Sequence, residues 1–296
     1  MKTIKYRNAG VWTTAHFRAW RRTNLASLAI GFEQQVYLQP RGKKQIKGEA
    51  RNVNRPSSRS GRHLVAMSID PEELTIAGNE RESVTALLYA ASKKSRVGMT
   101  LILGHGAGAG QLHPFMRLFA SGMAERGFDT LTFNFVYMEQ RRGAPDPKAK
   151  LEACYLAVME AALAHKKLKG NRLAIGGKSM GGRIASQVAA ESESVDEIST
   201  LVFLGYPLHP PGRPDKLRDA HLPEIKAPML FVQGSRDTFG TPDELRAVFK
   251  KHHLNPTLHA IEGGDHSLKV PKSLGIPQDQ VYASTMDTIS AWLQAT

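Results

Sequence analysis

The chain has 296 residues, 41% of them hydrophobic and 23% charged, with one cysteine and a formal net charge of +13. This composition excludes a collagen-like, wholly disordered or disulfide-stapled chain, and no run of 18 apolar residues is present to form a membrane-spanning helix. The charge is uneven: residues 1–69 hold 14 Lys and Arg against only Glu33 and Glu49, while residues 70–296 hold 26 basic and 25 acidic residues, so a nucleic-acid footprint does not describe the whole chain.

Residues 1–69 read as a basic, disordered extension. Their one short apolar run is Leu25–Ile30, and residues 40–62 are polar, basic and rich in Gly, Pro and Ser. Such a stretch buries too little apolar surface to offset its conformational entropy. Arg21-Arg22 invites a twin-arginine export reading, but the apolar run is short and no A-x-A site follows. An organellar transit peptide, a tail touching nucleic acid weakly and nonspecifically, and a dispensable extension with a start at Met67 are the other readings. The favoured one is the dispensable extension. It places the protein in the cytoplasm, with organellar targeting by the Arg-rich segment as the alternative.

From residue 70 the pattern predicts one domain, 70–296. Glu73–Ala77 and Ser83–Ala91 are strands about the turn Gly78-Asn79-Glu80, and Val97–Leu103 is an apolar strand entering a glycine-rich loop. Leu112–Arg126 carries apolar residues at helical spacing. Asp129–Phe135 is the next strand and Pro147–Leu168 a long helix. Further strands are predicted at Arg172–Ile175, Thr200–Leu204, Pro228–Val232 and Thr257–Ile261. Further helices are predicted after Gly182 to about Glu191, over Thr241–His252 and over Pro277–Leu293. Strands alternating with helices specify an α/β fold, a mainly parallel sheet flanked by helices, with ligands at the carboxyl ends of the strands.

Gly177-Lys178-Ser179-Met180-Gly181 has the form G-x-S-x-G between a strand and a helix, the setting of a nucleophile elbow. The turn strains Ser179 and demands small residues at 177 and 181. The Met180 N–H then opens the helix and faces a developing oxyanion. A phosphate-binding loop is the competing reading of Lys178-Ser179, but the first glycine it needs falls at Arg172. A serine nucleophile needs a base and an orienting acid, which follow it in the order acid, then histidine. Asp237 lies just past the strand 228–232 and His266 just past the strand 257–261. Asp215, Asp219, Asp265, His252, His253 and His259 compete less well by position. His105-Gly106-Ala107-Gly108 follows the first long central strand and supplies a second oxyanion donor, the Ala107 N–H. The loop lacks the remaining glycine spacing of a dinucleotide site.

These residues resemble the α/β-hydrolase superfamily and its dienelactone-hydrolase-like branch. Closer still, LILGHGAGAG, FNFVYMEQRRGAPDP, GGKSMGGRIAS, LGYPLHPPGRP, LFVQGSRDTFG and GGDHSLKVP resemble the small domain shared by testis-expressed protein thirty and the third subunit of the NSL chromatin complex. The resemblance covers about residues 70–296 and implies Ser179 as nucleophile, Asp237 as acid and His266 as base. Dienelactone hydrolases proper use a cysteine nucleophile; here the position is serine, and Cys154 lies in a helical pattern. The expected function is a serine hydrolase acting on a small-molecule ester, thioester or related acyl substrate, with no metal or organic cofactor. The alternative is a non-catalytic binding or scaffold module. His105, Glu139, Arg141 and Arg142 are assigned to substrate binding, because Glu139–Arg142 leaves the sheet at the edge that carries Ser179. Arg213, Lys216 and Arg218 add charge on the loop after the strand 200–204. Two basic loops suit an acidic or polar substrate.

Overall fold

The computed structural model describes residues 69–78, 82–191 and 197–296. The expectations for residues 1–68 and for the turn after Gly78 lie outside the described residues. Eight strands form one sheet: β1 (Glu72–Ala77), β2 (Ser83–Tyr89), β3 (Met99–Gly104), β4 (Asp129–Phe133), β5 (Arg172–Lys178), β6 (Ile198–Leu204), β7 (Met229–Gly234) and β8 (Thr257–Ile261). The helices are α1 (Pro114–Glu125), α2 (Val136–Glu139), α3 (Lys148–Ala164), α4 (Met180–Glu191), α5 (Pro242–Lys251) and α6 (Gln278–Ala295). The strand order is β1-β2-β4-β3-β5-β6-β7-β8. β2 is antiparallel to both neighbours, and every pair from β4 to β8 is parallel.

The central strands read as continuous apolar runs because both faces of the sheet are covered. Their alternating side chains go to two different cores. Met99, Leu101 and Leu103 of β3 pack with Phe115, Phe119 and Met123 of α1 and with Met286, Ile289 and Leu293 of α6. Ile102, between them in sequence, faces the other way with Leu151 and Val158 of α3, Ile184 and Val188 of α4, and Val248 and Phe249 of α5. Each right-handed crossover thus delivers its helix to one of two faces.

The chain runs from β3 to β4 on one side of β3 and then crosses to β5 on the other side. The loops leaving β3 and β5 therefore diverge, and the crevice between them is where an open α/β sheet binds ligands. Several element boundaries differ from the sequence reading; the strand read as Arg172–Ile175 runs on to Lys178, and two other differences change the chain path. The strand predicted to Phe135 ends at Phe133, and Val136–Glu139 forms a short helix. The reversal lets the Glu139 carboxylate return to Thr85 on β2, 2.8 Å from its hydroxyl. The helix predicted to Leu168 ends at Ala164, and the chain turns back through Gly170 at φ +86°.

Candidate functional site

β5 ends at Lys178 and α4 begins at Met180, so Ser179 alone makes the turn, with φ at 52°. A non-glycine residue in this left-handed region costs about 1–3 kcal/mol and must be held there by its surroundings. The hold is packing against β3. A Cβ at Gly177 or Gly181 would overlap the carbonyl oxygen of Gly104, so both glycines let the elbow press directly onto that strand. The Ser179 N–H donates to the Leu204 carbonyl at 3.1 Å, and the Ser179 carbonyl accepts from the Arg183 N–H at 3.0 Å.

The loops after β7 and β8 come to the same edge. His266 Nε2 lies 2.7 Å from Ser179 Oγ, and His266 Nδ1 lies 2.8 Å from Asp237 Oδ2 and 3.0 Å from Oδ1. Facing the carboxylate, Nδ1 carries the proton, which leaves Nε2 to accept from the serine hydroxyl. Asp237 is buried and fixed from two more directions. The Phe239 N–H donates to Oδ1 at 2.8 Å and Gln233 Nε2 to Oδ2 at 2.9 Å. The Phe239 ring stacks on the imidazole with centroids 4.1 Å apart. Burial pulls the His266 imidazole below the ordinary histidine value; the hydrogen bond to Asp237 opposes this and the Lys178 charge adds to it. His266 is thereby kept neutral and able to accept a proton.

On the other side of Ser179 stands the loop after β3. A Cβ built on Gly106 would lie 3.7 Å from Ser179 Cβ, so the loop borders the nucleophile position directly. Among the described residues, neither the Ala107 N–H nor the Met180 N–H has a protein acceptor. Free amides beside a serine hydroxyl are what an oxyanion requires.

His105 is placed differently from its assignment to substrate binding. Its side chain is fully buried, and both ring nitrogens are used on the backbone. Nε2 accepts from the Phe135 N–H at 3.1 Å, which fixes the proton on Nδ1, 2.8 Å from the Gly106 carbonyl. Burial pushes the imidazole down to about 4, so it is neutral at ordinary pH. Holding the Gly106 carbonyl also orients the Ala107 N–H, because the two share one planar peptide. Tyr137 donates its hydroxyl to the next carbonyl, Ala107 O, at 2.9 Å.

Glu139 is likewise committed elsewhere. Its Oε2 accepts from Thr85 Oγ1 and from Asn134 Nδ2 at 3.0 Å, tying α2 to β2. Asn134 in turn accepts from the Gln111 N–H at 3.0 Å, linking this cluster to the end of the loop after β3. Arg142 is exposed and ion-paired with Asp146 at 2.6 Å. Arg141 sits on an exposed turn at φ 55°. Across the sheet, Arg213 pairs with Asp215, and Asp219 takes His252 at 2.8 Å and Lys251 at 3.0 Å. The Asp265 carboxylate accepts from the Ser267 and Lys269 amides of its own loop.

Gln233 and Tyr137 were not singled out from the sequence, and Lys178 entered only in the rejected phosphate-loop reading. Lys178 carried a usable signal, since a lysine is out of place between a buried glycine pair and a strained serine. Gln233, a polar residue at the end of the apolar strand Met229–Val232, carried a weaker one. Tyr137 had none, because its role depends on the unexpected short helix.

The family model described as an alpha/beta hydrolase domain matches residues 97–294. Among solved structures, a dienelactone hydrolase from Anabaena variabilis is 18% identical, with a TM-score of 0.58 over 76% of this chain and 98% of that one. An alpha-beta serine hydrolase homologue from Coxiella burnetii is 16% identical, with a TM-score of 0.58 over 75% and 97%. The Pyrococcus furiosus esterase Pf2001 is 18% identical, with a TM-score of 0.58 over 82% and 99%. At these identities the likeness is one of fold. Together with the match across most of the chain, it means that the protein belongs to the α/β-hydrolase family.

Proposed function

We propose that the protein is a serine hydrolase that cleaves an ester, thioester or related acyl substrate through Ser179, His266 and Asp237. The observation that carries this reading is the hydrogen-bonded line from Asp237 through both nitrogens of His266 to Ser179 Oγ. Ser179 Oγ attacks the acyl carbon while its proton passes to His266 Nε2, and the imidazolium is stabilised by the buried Asp237 carboxylate. The carbonyl oxygen becomes an oxyanion facing the Ala107 and Met180 amides. Collapse breaks the bond to the alkoxide or thiolate, which takes the proton from Nε2. A water molecule then gives its proton to Nε2, attacks the acyl-enzyme and releases the acid, and the proton returns to Ser179 Oγ.

The resemblance to esterase and dienelactone hydrolase folds supports an acyl substrate and leaves its identity open to a panel. The test is hydrolysis of a short p-nitrophenyl ester by wild-type protein and by Ser179→Ala. The expected result is turnover by the former and loss of several orders of magnitude in the latter, with an unchanged melting temperature. Equal turnover by both proteins would reject the reading.

A further inference from the structure

Lys178, immediately before Ser179, is a charged residue with only 9% exposure. Its ammonium lies under the face of Phe115 from α1, 6.0 Å from the ring centroid. A Cβ placed on Gly205, just beyond β6, would stand 3.2 Å from Lys178 Nζ and 3.4 Å from His266 Nδ1. The ammonium and the imidazole therefore flank the same glycine, with no side chain between them at that point. Gly205 has φ +65°, and its missing Cβ also spares the His266 carbonyl.

The other charges facing this pair are Asp237, from the loop after β7, and Asp265, from the loop that carries His266. From α6 comes Tyr282, whose hydroxyl donates to the Ser267 carbonyl at 3.2 Å. From α1 comes the uncharged Phe115 ring. Among the described residues, no carboxylate lies within ion-pair distance of Lys178, and its ammonium has no hydrogen-bond acceptor. Holding the ammonium of a largely buried side chain without an ion pair is costly. A methionine of similar length would fill the same space without that cost. The charge itself is what the position provides.

We propose, resting on the serine-hydrolase reading, that Lys178 is a positioning residue whose largely buried positive charge, beside the same glycine as the His266 ring, adds to the effect of burial in disfavouring the imidazolium and so extends the site's working range toward acid pH. The effect is electrostatic and acts from the Asp237 side of the ring, away from the substrate. A cation close to an imidazole in a poorly solvated setting disfavours the imidazolium. Burial draws Lys178 itself down to about 8, against the pull of Asp237 and Asp265, so the ammonium remains the major form at neutral pH. Rates that require neutral His266 then fall only when the pH drops through its lowered value.

The test is the pH dependence of the rate at which a fluorophosphonate probe labels the protein. Wild-type, Lys178→Met, Lys178→Gln and Lys178→Arg proteins are compared, with folding checked by circular dichroism. The acid limb of wild-type labelling is expected to have its midpoint below the ordinary histidine value of about 6.5. Removing the charge should raise that midpoint by at least about half a pH unit, which is about a threefold slower reaction at acid pH relative to the plateau. Lys178→Arg should keep the wild-type midpoint. A merely structural lysine would change stability or plateau rate and leave the midpoint in place. An unmoved midpoint in a folded, labelled Met or Gln variant overturns the proposal while leaving the serine-hydrolase reading intact, as does an Arg variant shifted as far as the Met one. A wild-type midpoint at or above about 6.5 overturns it even if no variant folds. Wild-type protein that takes no label at any pH overturns both readings together.

Discussion

Two serines, Ser179 just before α4 and Ser186 in its middle, each lie 2.7 Å from a histidine Nε2: Ser179 from His266 and Ser186 from His221. Their surroundings differ in every respect that matters to a nucleophile. Ser186 is fully buried inside the helix, and its hydroxyl donates to the Arg183 carbonyl at 2.7 Å. Its proton is thus already placed, and His221 Nε2 must be the donor to it. Among the described residues, no carboxylate is hydrogen-bonded to His221, and burial pushes that imidazole down to about 4, helped by Lys148 and Arg183. Ser179 instead occupies a strained turn, donates to an imidazole whose far nitrogen is bound to a buried carboxylate, and lies beside a loop with an unpaired amide. A short serine–histidine distance is therefore a packing fact. The direction of the proton and the acid behind the ring are what suit one pair to chemistry.

The largest effect should separate the two serines. Ser179→Ala should lower ester turnover by several orders of magnitude. Ser186→Ala should leave turnover within about twofold and cost about 1 kcal/mol of stability, read from thermal melts as a shift of a few degrees. The acids come next. Asp237→Asn should lower turnover by about 10³–10⁴-fold, since an amide cannot hold the imidazolium and favours the wrong tautomer. Asp265→Asn should stay within about threefold, because its carboxylate bonds amides of its own loop. The reverse ranking in steady-state kinetics would reassign the acid.

A smaller effect should come from the loop after β3, which carries the Ala107 amide proposed to face the oxyanion. Tyr137→Phe removes the hydroxyl that holds the Ala107 carbonyl. It should lower kcat by about tenfold with little change in KM, the size of one lost hydrogen bond expressed in the transition state. A change in KM alone would place Tyr137 in substrate binding. The smallest effect concerns the exposed Arg141. Arg141→Ala should raise KM about threefold for a carboxylate-bearing ester and spare a neutral ester of equal size, as expected for a solvent-screened charge. Equal effects on both esters would remove Arg141 from the site.

The sheet was legible because its central strands are apolar on both faces and its helices carry periodic apolar residues. Ser179, Asp237 and His266 could be chosen because each lies on the turn or loop leaving a strand, and parallel strands bring their carboxyl ends to one edge. His105 and Glu139 also follow strands, yet both turn inward. Their destinations depend on the Phe135 amide, the Thr85 hydroxyl and the short helix Val136–Glu139, contacts between segments far apart in sequence. Position after a strand tells where a backbone emerges; whether the side chain faces a ligand or braces a loop is decided by partners that spacing does not reveal.

The most direct measurement is to label the wild-type protein with a fluorophosphonate, digest it and locate the adduct by mass spectrometry. The account predicts one adduct, on the peptide containing Ser179, absent when Ser179 is replaced by alanine. An adduct on Ser186 or another serine, or no adduct on folded protein, would contradict it.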